Sequence, residues 1–385
     1  MINKKNILFH LESRATYGYA KNVLSKFANY PTLDYCTLVT GGHLEEEVGK
    51  SLDLINTDGI RIDEKVFFKR NIKSGKCSWA SGIGNAIDGY VKALNKLNPD
   101  LVLLFGDRIE TLSMCMSAAY SGIPIAHVQA GDKSGHIDDS ARYAIAKLAH
   151  IHFASCQDSF IRLKNLGEEE FRIYNTGAPQ LDDLHSIEKG GYVFINQKKF
   201  DLNQQFILIL QHPVFIESDS AYEQMEKTIN TALNFQIPII WIYPNNDIGY
   251  SKIINLLEKS SSCHKLISPI KNLNRTDYLK LLKNCKVLIG NSSSGILEAP
   301  SFNVPVINIG TRQRGRPQAS NILNCSHDLK EIQDSLEIAI NSKEFRNNCL
   351  SSKNPYGDGN SSERICKILS DLTLDKKLLD KITTY

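Results

Sequence analysis

Gly106-Asp107-Arg108 stands directly after the apolar run Leu101–Phe105. A glycine lets the chain turn at a strand end, and the acid and base behind it are then placed to meet a ligand. The plainer reading is an aspartate helix cap with an arginine partner on the surface. A second segment, His127 to Arg142, also follows an apolar run and gathers Asp132, Lys133, His136, Asp138 and Asp139 within eight residues. Titratable groups this close push one another's pKa values apart, as acid–base chemistry requires. Asp138 and Asp139 equally suit the cap and first turn of a helix over 138–149, and the two roles can coincide.

The anion-binding candidates lie later in the chain. Asn291-Ser292-Ser293-Ser294-Gly295 follows the run Lys286–Gly290 and opens a helix containing Glu298. Small residues let backbone N–H groups approach an anion, hydroxyls add donors, and a helix N-terminus favours negative charge. A serine-rich cap without a ligand is the alternative. Gly310-Thr311-Arg312-Gln313-Arg314-Gly315-Arg316 sets three arginines at alternate positions, suited to bidentate phosphate recognition or to a solvated basic loop. Gln211-His212-Pro213 brings an imidazole to the end of another apolar run. Glu12-Ser13-Arg14-Ala15-Thr16-Tyr17-Gly18 follows the first run without a GxGxxG fingerprint, which disfavours a nicotinamide cofactor.

The elements that must hold these residues alternate. Ile7–His10, Cys36–Thr40, Leu101–Gly106, Ile123–Val128 and Ile151–Ser155 read as strands in the first half. Ile207–Gln211, Ile237–Tyr243, Lys286–Gly290 and Val304–Ile309 repeat the pattern in the second. Several are apolar on both faces, as parallel strands covered by helices should be. Helical spacing falls between them, over Tyr17–Ala28, Gly82–Leu97, Asp138–Ala149 and Ala221–Phe235. The fold class is therefore α/β, with two doubly wound, Rossmann-like parallel sheets facing a cleft. Residues 1–182 are expected to form the first domain, 183–350 the second, and 351–385 a segment crossing back. The polar stretch 183–205 is the expected connection, and a helix over Glu363–Leu379 should pack on the first domain.

Composition narrows the function classes. Lys plus Arg number 45 against 42 Asp plus Glu, a net charge of +3, which excludes a strongly basic nucleic-acid binder and an acidic tail protein. Nine cysteines with no CxxC spacing point to free thiols in a reducing compartment and give no metal signature. No apolar stretch approaches the ~20 residues that cross a membrane. The expectation is a cytoplasmic protein of two domains.

In order and spacing these stretches resemble the UDP-N-acetylglucosamine 2-epimerase family, particularly its hydrolysing branch, which makes N-acetylmannosamine for sialic-acid-type sugars. The resemblance runs from Arg14 to the turn Asn354-Pro355-Tyr356-Gly357-Asp358-Gly359 and the Ser362-Glu363-Arg364 after it. It rests on Gly106-Asp107-Arg108, on Ser134-Gly135-His136-Ile137-Asp138-Asp139-Ser140, and on Gly177-Ala178-Pro179. Asn291-Ser292-Ser293 and Val306-Ile307-Asn308-Ile309-Gly310-Thr311-Arg312-Gln313 complete the set. The resemblance implies a GT-B-like fold, a UDP-sugar as the small-molecule partner, no cofactor, no metal, and a homodimer or homotetramer. It implies that Arg14, Arg108, His212, Asn245, Ser292, Ser293, Glu298 and Arg312 meet the UDP moiety, with Glu298 accepting ribose hydroxyls.

For the hydrolysing branch the implied chemistry is loss of the C2 proton, departure of UDP to leave a 2-acetamidoglucal, and rehydration with inversion at C2. Asp107 and Asp138 match the family's acid–base carboxylates, and His212 joins the catalytic candidates. Gln129 departs from the glutamate frequent at that position, and an amide cannot shuttle a proton at ordinary pH. Asp132 and His136 are the nearby substitutes. Glu12-Ser13-Arg14-Ala15-Thr16 also departs from the usual Gly-Thr-Arg-Ala-Asp or -Glu. The alternatives are hydrolysis of UDP-N,N′-diacetylbacillosamine, a non-hydrolysing 2-epimerase, a GT-B glycosyltransferase, and a catalytically silent UDP-sugar sensor.

Overall fold

The computed structural model describes residues 4–44, 51–69, 78–133, 137–245, 249–271 and 273–384. The chain divides into two compact units, residues 1–182 with 356–385, and residues 183–355.

The first unit is built on β1 (Lys5–Leu11), β2 (Leu33–Thr40), β3 (Glu64–Val66), β4 (Leu101–Phe105), β5 (Ile125–Ala130), β6 (Ile151–Ala154) and β7 (Ile173–Asn175). They form a parallel sheet in the order β3-β2-β1-β4-β5-β6-β7. Residues alternate between its two cores: Ile7, Phe9 and Leu11 join one cluster, and Leu8 joins the other. Both faces are covered, which is why these strands carry continuous apolar runs. The C-terminal segment supplies part of that cover through Ile365, Cys366, Leu369 and Leu378. The helix expected over 363–379 is two helices, Ser361–Asp371 and Lys376–Leu379. The break falls where Asp375 caps the second helix, its carboxylate accepting from the Leu378 N–H at 2.9 Å.

The second unit opens with an antiparallel hairpin, β8 (Tyr192–Ile195) and β9 (Lys198–Asp201). The stretch 183–205 is thus not a plain connection, since it holds a hairpin. Asn196 and Gln197 turn it with φ of +48° and +67°, the pair of positive φ values a two-residue hairpin turn demands. The main sheet comprises β10 (Ile207–Leu210), β11 (Ile239–Ile242), β12 (Ile267–Ile270), β13 (Val287–Gly290), β14 (Val306–Ile309) and β15 (Ile322–Cys325). Its order is β12-β11-β10-β13-β14-β15, all parallel.

Both sheets reverse direction of growth at one point, between β1 and β4 in the first and between β10 and β13 in the second. At such a switch point the flanking helices diverge and leave a crevice beyond the carboxyl ends of the strands. Among the described residues no helix is long and apolar enough to cross a membrane.

Candidate active site

In the first unit, the Gly106 turn at the end of β4 has φ of +71°, and the hydroxyl of Tyr19 lies above it. The turn is held from β5 by His127, whose Nε2 donates to the Gly106 carbonyl at 2.6 Å. Burial, reinforced by Arg142, drives the His127 pKa down to about 3, so this imidazole is neutral. Asp107 follows the turn and pairs with Arg142, a side chain only 4% exposed on the helix Ile137–Leu148. The same guanidinium donates from Nη1 to the Gln129 carbonyl at 2.6 Å. One arginine thus joins the end of β4 to the end of β5.

Gln129 sits at φ +61°, and its amide donates to Gln180 at 3.1 Å. Asp132, the expected substitute for a glutamate there, is buried and takes hydrogen bonds from Ser155 and from Ser159, the latter at 2.7 Å. Two hydroxyl donors tie its carboxylate to the protein. Asp138 falls in the first turn of its helix, and its side chain lies outside the described residues, as do Ser134, Gly135 and His136. Arg14 opens the helix Arg14–Phe27, capped by Ser13. Arg108 caps the helix Ile109–Tyr120 and reaches Glu110 at 3.5 Å.

In the second unit, Gly290 ends β13 at φ +139°, and a Cβ there would lie 2.1 Å from the Leu210 carbonyl oxygen. Only glycine lets β13 end this close to β10. Asn291 then reaches across, its Oδ1 accepting from the His212 N–H at 2.7 Å and its Nδ2 donating to the His212 carbonyl at 2.8 Å. The Asn291 carbonyl accepts from Arg312 at 3.2 Å and from Gln313 at 2.9 Å. His212 Nδ1 accepts from the Asn245 N–H at 3.0 Å. That bond leaves the ring proton on Nε2. Burial and the Arg312 charge hold the pKa well below its usual value, so His212 is a neutral N–H donor.

Ser292 caps the helix Ser293–Leu297, accepting from the Ser294 N–H. The helix stops before Glu298 instead of containing it. Glu298 accepts from Arg275 at 2.8 Å, and Arg275 in turn grips Asp183 through Nε at 2.6 Å and Nη2 at 3.0 Å. Burial nonetheless raises the Glu298 pKa.

His212 and Arg312 thus converge on Asn291, and Asn245 joins them through the His212 ring. Asp107, Arg142 and Gln129 converge in the first unit. Arg275 was not singled out in the sequence, and Arg142 and Asn291 were named there only as the ends of longer motifs, with no role of their own. Their types are common in helices and loops, and only their distant partners mark them.

The family model for UDP-N-acetylglucosamine 2-epimerase matches residues 25–370. The chain belongs to the UDP-N-acetylglucosamine 2-epimerase family. It is 33% identical, over 99% of its length and all of the relative's, to a hydrolysing UDP-N,N′-diacetylbacillosamine 2-epimerase of Legionella pneumophila. It is 30% identical to a UDP-N-acetylglucosamine 2-epimerase of Neisseria meningitidis, over 89% of each chain. Among solved structures, the S. aureus MnaA–UDP complex superposes with a TM-score of 0.80 at 20% identity, covering 99% of this chain and all of that one. As an epimerase of this family, the protein is an enzyme with a GT-B-like fold.

Proposed function

We propose that the protein is a hydrolysing UDP-sugar 2-epimerase that turns a UDP-linked N-acylated sugar and water into the free 2-epimer and UDP. The observation that carries this reading is the Arg142 bridge, which pairs with Asp107 and holds the end of β5 beside it at the switch point of the first sheet. In the proposed reaction Asp107 accepts the C2 proton, the C1–O bond breaks, and UDP leaves with its electron pair as the C1–C2 double bond forms. Water then adds its hydroxyl to C1, and C2 gains a proton on the opposite face, so that one water is consumed per UDP released. Asp138 supplies the second carboxyl. Gln129 holds the sugar by hydrogen bonding. The second unit holds UDP: neutral His212 and the serine segment donate hydrogen bonds, and Arg312 balances the diphosphate charge, so the leaving group departs stabilised.

Relatives named for UDP-N,N′-diacetylbacillosamine, at 33% identity, and for GDP/UDP-N,N′-diacetylbacillosamine, at 32%, favour the UDP-linked diacetylbacillosamine as the substrate, with UDP-N-acetylglucosamine as the second candidate. Incubation with each nucleotide in heavy water tests the reading. Free UDP and a released sugar carrying deuterium at C2 are expected. A 2-epimer still joined to UDP would make the enzyme non-hydrolysing, and absence of C2 deuterium would remove the elimination mechanism.

A further inference from the structure

Glu12 lies just past the end of β1, on the far side of the Gly106 turn from Gln129. The β1–β4 pairing Phe9↔Leu103, carried three residues on, sets Glu12 level with Gly106. The β4–β5 pairing Phe105↔Val128, carried one residue on, sets Gln129 level with it too. Three neighbouring strands therefore present Glu12, the Asp107 turn and Gln129 side by side. The amide is on one flank and a carboxyl on the other.

The Glu12 side chain is 1% exposed. Thr16 Oγ1 hydrogen-bonds its Oε2, and Oε1 has no hydrogen-bond partner among the described residues. Thr16 Oγ1 is 3.1 Å from Ser13 Oγ, and Ser13 is half-buried at the start of the helix Arg14–Phe27. A carboxyl and two hydroxyls thus form a chain from the interior to a half-exposed residue. Glu110 stands beside it, for a Cβ placed on Gly41 would lie 2.7 Å from the Glu12 carbonyl oxygen and 3.1 Å from Glu110 Oε1. Arg108 reaches Glu110 at 3.5 Å. Among the described residues, Arg108 is thus the guanidinium beside both buried carboxyls.

Among the described residues, the tyrosines and histidines around Glu12 add no positive charge. Tyr19, which feels both Glu12 and Asp107, has its pKa pushed well up by burial, and Tyr90 behaves likewise. His10 and His43 are driven by burial down to about 3 and about 4, so both are neutral. Burial, opposed by Arg108 and assisted by Glu110, raises Glu12 to about 7.

We propose that Glu12 is a proton store for the reaction, exchanging its proton with the substrate side through the hydroxyls of Thr16 and Ser13. The proton leaves the Glu12 carboxyl for Thr16 Oγ1 while the Thr16 proton passes to Ser13 Oγ and the Ser13 hydroxyl proton passes to the acceptor beyond it, and the reverse sequence reloads Glu12 from water. Glu12 acts through Thr16 and is a positioning and storage residue, not one that touches substrate. This rests on the proposed proton chemistry at the first unit.

Two measurements test it. The pH profile of kcat should fall as pH rises through neutrality in the native protein and in Glu12→Asp. In Glu12→Gln it should be flat, with kcat lower by about 10- to 100-fold at pH ~6 and equal to the native value above pH ~9. Thr16→Ser should keep the native profile, and Thr16→Val should resemble Glu12→Gln. A Glu12→Gln profile that keeps the native limb overturns the proposal, whereas loss of UDP release in the native protein overturns the function reading instead. Independently of turnover, infrared difference spectra of native protein against Glu12→Gln should show one carboxylic acid band that titrates between pH ~5 and ~9. If Glu12 keeps a single protonation state across that range, the store does not exist.

Discussion

Asn291 and His212 are bound head to tail, the asparagine amide accepting from the histidine N–H at 2.7 Å and donating to its carbonyl at 2.8 Å. The pair fixes the ends of β10 and β13 against each other and sets the direction of the imidazole. Asn291→Ala leaves two half-buried backbone groups of His212 without this partner, at a cost of about 1–3 kcal/mol. UDP affinity measured by calorimetry should fall together with thermal stability. Asn291→Asp should lose the donated bond alone and lie between the two.

Arg142 is the corresponding link in the first unit, since it pairs with Asp107 and holds the Gln129 carbonyl. Removing one partner of a buried pair strands the other charge, so Arg142→Met should destabilise by about 3–5 kcal/mol in denaturant titration. Asp107→Asn combined with Arg142→Met should recover part of that loss, because no carboxylate then remains to be neutralised. UDP binding should survive in the double variant while turnover is lost.

Gln129→Ala should raise KM by about 2- to 10-fold, the worth of one hydrogen bond, and leave kcat nearly unchanged. A collapse of kcat would place the amide in the proton path. Should the native chain bind both UDP-sugars tightly without turning them over, and Gln129→Glu restore turnover, the protein would be a sensor.

Acid should destabilise the fold in a window set by its histidines. Burial pushes His10 and His127 to about 3 and His43 and His150 to about 4, all from 6.5. Below pH 6.5 the unfolded chain binds protons that the folded chain refuses, so stability falls as pH drops through that window and is level above it. Neither ring nitrogen of His10 has a hydrogen-bond partner among the described residues. His10→Leu should therefore reduce the slope of melting temperature against pH. Glu12 has the opposite sign, because its raised pKa makes the folded chain bind more protons between 4.5 and about 7. Glu12→Gln should gain relative stability as pH rises through that interval.

The tail closes the first unit. Lys381 donates to the carbonyls of Ala146 at 2.7 Å, Lys147 at 3.0 Å and Ala149 at 2.7 Å, and pairs with Glu168 at 2.6 Å. It caps the C-terminus of the helix that carries Arg142 and Asp138. Lys381→Ala should cost about 1.5–3 kcal/mol, with Lys147 compensating in part for Glu168, and Lys381→Arg should cost less.

By itself the sequence determined the parallel strands, because burial on two faces demands unbroken apolar runs, and all nine expected runs are strands. It also placed Asp107, Gln129, His212 and Ser292 at or just beyond strand ends. The strands it hid are β3, β7, β12 and β15, each at a sheet edge, together with the hairpin β8–β9. An edge strand here is short and less fully buried, so its residues need not be apolar: β15 has no fully buried residue, and β12 contains Pro269. Strand order was likewise invisible, since which runs pair depends on contacts far apart in the chain. Only the tertiary structure put β1 beside β4 and β10 beside β13. Those pairings make Glu12 a neighbour of the Asp107 turn, and Asn291 a neighbour of His212, across separations of 94 and 79 residues, so no local pattern could carry them.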